Sequence, residues 1–391
     1  MLVKKLLLPI TTAIGLIVVT VILVFLARGY SFDFQKKTVT ETGLLLVNSI
    51  PDAGLVFIDN KPTSLATNGS VSLVPNEYHL KIQKPGFFTY LKTVKIEKEL
   101  ITRVDALLIP IFPELKPLSL TGAKNPVISP DGTKIVFATE ADPEKGLWIL
   151  DLNEKPFGLT TRPSRILADD TVSTKEDTGF LYSQAIVSFS FDSKKVLLEN
   201  VPSSNPLGKT ANFLLDLQSH AKEIVSDVNT VKNLWLKEKQ LNQEKLGEGL
   251  APSLTERIAG LLDLSFSPDG NWILYQTQNG QSKEFKILKI KETINNKKLP
   301  AEETILVTAN FASLFWFPDS AHLLILEKKE ANDKQGTISL LELNRENKTK
   351  IFEGIVLGQT IFPYPSGSRI AVLTNFSPES NQTNLYSINL R

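Results

Sequence analysis

Cysteine is absent from all 391 residues. That excludes a disulfide framework, a thiolate nucleophile, a cysteine-ligated zinc or iron–sulfur centre, and a lipid anchor built on a lipobox cysteine. Excess charge is missing too: 43 basic against 42 acidic side chains leave a formal net charge of +1. So weak a field attracts neither nucleic acid nor an acidic membrane surface, and nucleic-acid binding is not expected. Histidine is scarce. His79, His220 and His322 are scattered, with no His-x-x-x-His or carboxylate-flanked pair to suggest a metal site. A Gly-x-Ser-x-Gly elbow, a phosphate-binding loop and a kinase signature are all lacking. No catalytic, metal or cofactor-binding residue is assigned, and the ligand-binding residues stay unknown.

What the chain does contain is enough apolar residue, 42%, against 22% charged, to fold over most of its length. Its length suggests two or three units. Near the start, Leu6 to Ala27 is a run of 22 residues with no charge. As a helix it would extend roughly 33 Å, the depth of a bilayer's hydrocarbon core. A buried core helix would show one polar face, and here only Thr11, Thr12 and Thr20 interrupt the run. The stretch exceeds a signal-peptide core, and Phe25 stands where a cleavage site after Ala27 wants a small residue. The expectation is an uncleaved single-pass anchor at 6–27, a cytoplasmic tail at 1–5 and a linker at 28–41. Flanking positive charge is nearly balanced, and the short tail places the bulk of the chain outside the cytoplasm.

Residues 42–110 carry strand patterns at Leu44 and Leu46, Leu55–Asp59, Ser70–Val74, Tyr78–Gln83 and Thr89–Ile96. Asp59-Asn60-Lys61-Pro62 supplies turn chemistry between two of them. These alternations predict a small antiparallel β-sandwich. The blocks Ser49–Pro62 and Val74–Phe87, the second reading Val-Pro-Asn-Glu-Tyr-His-Leu-Lys-Ile-Gln-Lys-Pro-Gly-Phe, resemble the PEGA domain. The likeness covers Thr42 to about Pro110. Asn76 stands where that family usually has glycine, and the name-giving tetrapeptide reads Pro51-Asp52-Ala53-Gly54. The resemblance implies an envelope module that binds or spaces. Tyr78 and Phe87 read either as hairpin core or as a sugar-stacking pair, with core the preferred reading.

Residues 114–391 hold an internal repeat. A strand, a Ser/Pro-Asp-Gly-like turn and a second strand recur around Asp131, Asp192, Asp269, Asp319 and Ser366, each followed by a closing strand such as Leu147–Leu152 or Leu385–Leu390. Meanders of this kind bury both faces only by packing against one another, as propeller blades do. The pattern resembles the TolB-like (WD40-like) β-propeller, which implies an architecture and leaves function open. Leu115–Gly122 reads as an outer strand that completes the last blade. Turn spacings of 61, 77, 50 and 47 residues leave one long gap. Helix-favouring residues fill it, with Ser253 and Glu256 matching a capping box, so a five-bladed ring with a helical insertion at 231–262 is expected, six blades being the alternative. One aspartate per blade is too few to gather the oxygens of a calcium site, and turn formation is the expected role.

The chain is thus expected to be all-β behind one transmembrane helix: a binding or scaffold protein of the bacterial cell envelope, without catalysis. Propeller loops would meet an envelope protein or a surface glycan. The alternative is a glycan-active propeller enzyme with two carboxylates in its central funnel.

Overall fold

The computed structural model describes residues 12–21, 23–24, 30–33, 38–154, 161–169, 180–201, 211–247, 262–280, 282–290, 302–376 and 382–391. Residues 12–21 and 23–24 are helical. No helix among the described residues is long and apolar enough to cross a membrane. The expected tail 1–5 and both ends of the expected span 6–27 lie outside the described residues. The segment 28–41, expected as a plain linker, contains an antiparallel hairpin of β1 (Tyr30–Asp33) and β2 (Thr38–Glu41). The β-branched and aromatic residues of these two stretches favour extended backbone over a linker's irregularity. The chain divides into two compact units, Met1–Phe112 with Arg391, and Pro113–Leu390.

In the first unit the strands are β3 (Gly43–Ile50), β4 (Leu55–Ile58), β5 (Lys61–Ala66), β6 (Gly69–Leu73), β7 (Asn76–Gln83), β8 (Tyr90–Ile96) and β9 (Ile101–Leu107). They form a three-stranded sheet β6-β3-β9 and a four-stranded sheet β5-β4-β7-β8. Leu45, Val47 and Val104 from the first sheet meet Val56, Leu80, Ile82, Val94 and Ile96 from the second in one core. Every second residue along each strand supplies that core, as a half-buried pleat requires. The unit is not wholly antiparallel as the alternation suggested: β3 and β9 run parallel, Leu44 opposite Ile101 and Ile50 opposite Leu107. The whole second sheet lies between them in sequence and serves as the crossover that parallel strands need. Asp59 and Asn60 turn β4 into β5 with φ of 48° and 62°, the paired positive φ of a type I′ hairpin. Asn76 adopts no positive φ, so the glycine usual there is not required by this backbone.

The second unit begins with β10 (Leu115–Pro117). Four sheets follow in chain order. The first is β11 (Lys124–Ile128), β12 (Lys134–Thr139), β13 (Gly146–Asp151) and β14 (Ser164–Ala168). The second is β15 (Ile186–Phe189), β16 (Lys195–Glu199), β17 (Asn212–Asp216) and β18 (Lys222–Val225). The third is β19 (Leu262–Phe266), β20 (Trp272–Asn279), β21 (Ser282–Lys289) and β22 (Glu302–Thr308). The fourth is β23 (Phe311–Trp316), β24 (His322–Lys328), β25 (Gln335–Glu342) and β26 (Lys348–Ile355). The fifth takes β27 (Ile361–Pro363), β28 (Arg369–Thr374) and β29 (Asn384–Asn389), and borrows β10 as its outer strand. All are antiparallel meanders.

The sheets pack face to face. Ile135, Phe137 and Leu150 of the first meet Phe362, Leu373 and Leu385 of the fifth. Val136 and Leu147, on its other face, meet Val187, Val196 and Leu198 of the second. Leu274, Phe285 and Ile287 of the third meet Leu323, Ile325 and Leu341 of the fourth. Each middle strand is apolar on both faces, which is why its sequence reads as a continuous run and not an alternation.

Between the second and third sheets, residues Val228–Gly247 form a helix. It starts three residues before the expected insertion 231–262. The carboxylate of Asp227 caps it, accepting the N–H of Asn229 (2.9 Å) and of Thr230 (3.3 Å). Residues 248–261, with the expected Ser253–Glu256 box, lie outside the described residues.

Candidate functional site

In the second unit each sheet has two unlike ends. At one end lie the tight turns between its first two strands. At the other lie the loops between its middle strands and the crossovers to the next sheet. The four repeat aspartates sit at the tight-turn ends and are occupied there. Ser129, Ser190 and Ser267 donate their hydroxyls to Asp131, Asp192 and Asp269 at 2.5, 2.7 and 2.5 Å. The same serine oxygens accept the N–H of Lys134, Lys195 and Trp272. Burial pushes Asp131 and Asp269 up, but these hydroxyl and N–H donors outweigh it and hold both carboxyls below the ordinary value. The Ser190 hydroxyl, first of all, holds Asp192 down.

The fourth turn replaces serine with Phe317, and Asp319 takes other donors. Its carboxylate lies 2.7 Å from His322 Nδ1 and accepts the N–H of Ala321 and of His322. Burial raises the Asp319 carboxyl, and His322 with the two N–H groups brings it below the usual range. His322 is therefore a buried turn partner, while His79 and His220 lie elsewhere. No cluster of three or more metal-ligating side chains occurs among the described residues.

Two turns carry serine where the others carry glycine. Ser193 and Ser320 hold φ of 62° and 58°. Their hydroxyl oxygens accept the N–H of Asp131 and Asp269, each at 3.0 Å and each from the preceding sheet. These bonds tie the first sheet to the second, and the third to the fourth.

The crossover ends are open. One cleft of about 250 Å³ lies where the fifth sheet meets the first, lined by Thr121–Lys124, Glu140, Ala141, Gln382 and Thr383. Lys124 and Glu140 form an ion pair on its wall. Its floor is the closing seam. Asn384 Oδ1 accepts both Ser119 Oγ and the Gly122 N–H at 3.0 Å, and Ser119 Oγ accepts the Leu385 N–H at 3.0 Å. The strand expected to complete the last repeat does so: Leu115 pairs with Ile388 and Pro117 with Tyr386.

A second groove, of about 480 Å³, lies at the crossover end of the fourth sheet and is lined by Asn310, Glu327–Lys329, Asp333–Thr337 and Glu353. Residues Asp333–Gln335 form one wall. Sequence reasoning missed this groove. Lys328 ends an apolar strand and looks like an ordinary exposed terminus, yet its side chain is buried.

Other expectations resolve simply. Tyr78 and Phe87 both pack against the core of the first unit, and the Tyr78 hydroxyl donates to Val74 O at 2.9 Å. Both are half-buried there. Among the described first strands of the five sheets, Asp263 is the single acidic residue.

Residues 42–110 match the family described as the PEGA domain. Comparison with curated proteins returns no match. Among solved structures, the chain is similar to TolB from Acinetobacter baumannii, at 12% identity and a TM-score of 0.26 over 80% of this chain and 59% of that one. It is similar to the β-propeller domain of the Trilobed protease from Pyrococcus furiosus, at 13% identity and 0.24 over 69% and 70%. It is also similar to an oligogalacturonate lyase from Vibrio parahaemolyticus, at 11% identity and 0.30 over 93% and 96%. Scores of this size carry no argument about activity, and the chain spans less than two thirds of the Acinetobacter protein. Residues 42–110 of the chain thus match the PEGA domain, ahead of a second unit built mainly of antiparallel sheets.

Proposed function

We propose that this is a membrane-anchored binding or scaffold protein whose bulk lies outside the cytoplasm. The apolar run 6–27 would hold it in the bilayer, and the PEGA domain would space it from the surface or touch the wall. The five sheets would be five propeller blades, with the open crossover ends as the binding face for an envelope protein or a surface glycan.

One observation carries the anchor. Every described side chain of helical residues 12–21 and 23–24 is exposed. Eight large aliphatic side chains among them, Ile14 to Val24, are 47–71% exposed. An apolar helix whose side chains no described residue covers supports the reading of a lipid environment. The second unit supports the binding reading, because its tight-turn polar groups are internally satisfied while its crossover ends hold open grooves. The lone acidic residue among the first strands gives no support to a catalytic funnel.

The test is protease accessibility of a C-terminal tag in intact cells whose cytoplasmic membrane is sealed and whose outer layer, if any, has been opened. Loss of the tag before lysis is expected. Protection until lysis would overturn the topology and move the partner search inside the cell.

A further inference from the structure

The groove at the crossover end of the fourth sheet has a buried lysine in its wall that no described carboxylate pairs. Lys328 is only 4% exposed. Its stem runs past Gly336, where a Cβ would stand 3.3 Å from Lys328 Cγ and 3.0 Å from Leu326 Cδ1. A side chain there would crowd that path. The ammonium donates to Val356 O at 2.7 Å and Gly358 O at 2.8 Å. Both acceptors are neutral carbonyls. The third N–H has no acceptor, and the ammonium no carboxylate partner, among the described residues.

Neighbouring carboxylates are committed elsewhere. Glu327 pairs with Lys348 at 2.8 Å and Glu353 with Lys350 at 2.6 Å. Asp333 remains, accepting the Glu330 N–H at 3.0 Å. Lys329 and Lys334 line the same groove. Three lysines and three carboxylates thus line the groove, and of the carboxylates Asp333 is the one without an ion pair among the described residues. A buried charge is normally paired, because hydrogen bonds to neutral groups do not replace a counter-charge. Burial pulls the Lys328 ammonium below its ordinary value and Asp333 draws it back up, as expected of a cation short of anionic company.

We propose that this groove is a carboxylate-binding site, in which a ligand carboxylate accepts the third N–H of Lys328 while Lys329 and Lys334 supply the surrounding field. The proposal deepens the reading of the crossover ends as a binding face and rests on it. A monoanion suits the groove better than a phosphate. No arginine lines it to offer a two-pronged grip, and Asp333 opposes a second negative charge. An amino-acid chain end and a uronic acid present the same group.

The experiment is calorimetric titration of the full chain in detergent micelles with N-acetylglycine and with glucuronate. N-acetylglycinamide and the methyl ester of glucuronate serve as uncharged controls. At least one acid should bind, and its uncharged control at least tenfold more weakly. The tighter acid identifies the source. Asp333→Asn should tighten binding twofold or more, Lys334→Gln should weaken it about twofold, and Lys328→Met should abolish it. If circular dichroism shows Lys328→Met unfolded, the Asp333→Asn and Lys334→Gln results decide. Equal binding of acid and control, or no binding of either acid, would overturn the site; so would indifference to Asp333→Asn. Failure here with a protease-accessible tag leaves the anchored binding protein standing, whereas carboxylate binding with a protected tag overturns the topology alone.

Discussion

Ser193 offers a clean measure of what joins one sheet to the next. Its hydroxyl accepts the Asp131 N–H across the boundary between the first and second sheets, while its backbone sits at a φ of 62°. Ser193→Ala keeps the positive φ and removes the acceptor. A partly buried N–H left unsatisfied costs about 1–2 kcal/mol. Ser193→Gly removes the same acceptor but relieves a left-handed strain of about 1–2 kcal/mol. Glycine's extra freedom in the unfolded chain offsets about 0.5–1 kcal/mol of that relief. The glycine variant should therefore be the more stable of the two by about 0.5–1 kcal/mol. The assay is urea unfolding followed by tryptophan fluorescence. All four tryptophans, Trp148, Trp235, Trp272 and Trp316, lie in the second unit and report on it alone. If Ser193→Ala matches the parent, the cross-sheet bond contributes nothing. If Ser193→Gly is the weaker variant, the strain argument is wrong.

Four further outcomes follow from the same structure. Asp319→Asn should flatten the acid side of the stability profile. A carboxyl held below its unfolded value stabilises above about pH 4 and loses that contribution as pH falls through the folded value; urea midpoints at pH 5 and pH 3 would show the parent falling further than the variant. Gly146→Ala should destabilise the first sheet by about 2–4 kcal/mol, because φ is 141° and the new Cβ would stand 2.0 Å from Leu167 O; an unchanged Trp148 transition would contradict this. Asn384→Ala removes an acceptor serving Ser119 and Gly122 and should cost about 2–3 kcal/mol, with faster hydrogen exchange along β29. Tyr275→Phe should leave stability equal or raised by up to about 1 kcal/mol, because its hydroxyl is buried without a partner among the described residues; a clear loss in the urea midpoint would reveal a partner.

The repeat was legible because its turn needs unusual chemistry at fixed places. Pro130-Asp131-Gly132 and its counterparts mark where a strand reverses, and the apolar runs after them mark strands buried on both faces. The closing strand was legible as well, since Leu115–Gly122 had no turn of its own to pair with. Less could be read where the partner is remote. The alternation Ile101-Thr-Arg-Val-Asp-Ala-Leu107 gives no sign that its neighbour is β3, parallel and more than 50 residues earlier. The helix start was missed because Asp227, four residues before Val231, caps it through local hydrogen bonds that also suit a turn. The groove was illegible for a deeper reason. The stem of Lys328 packs against Gly336 of the next strand, and no local pattern records such a pairing.

Because β10 and β29 stand at opposite ends of the second unit yet share a sheet, the order of synthesis matters to its folding. A nascent chain can form the first four sheets as they emerge, but the fifth waits for Asn384–Asn389. Until then β10 has no partner and one apolar face of the first sheet stays uncovered. A product cut short before β29 would carry an adhesive, half-finished surface that proteases and chaperones recognise. Asn384–Asn389, as the last strand of the unit to emerge, thus act as a completeness check on it.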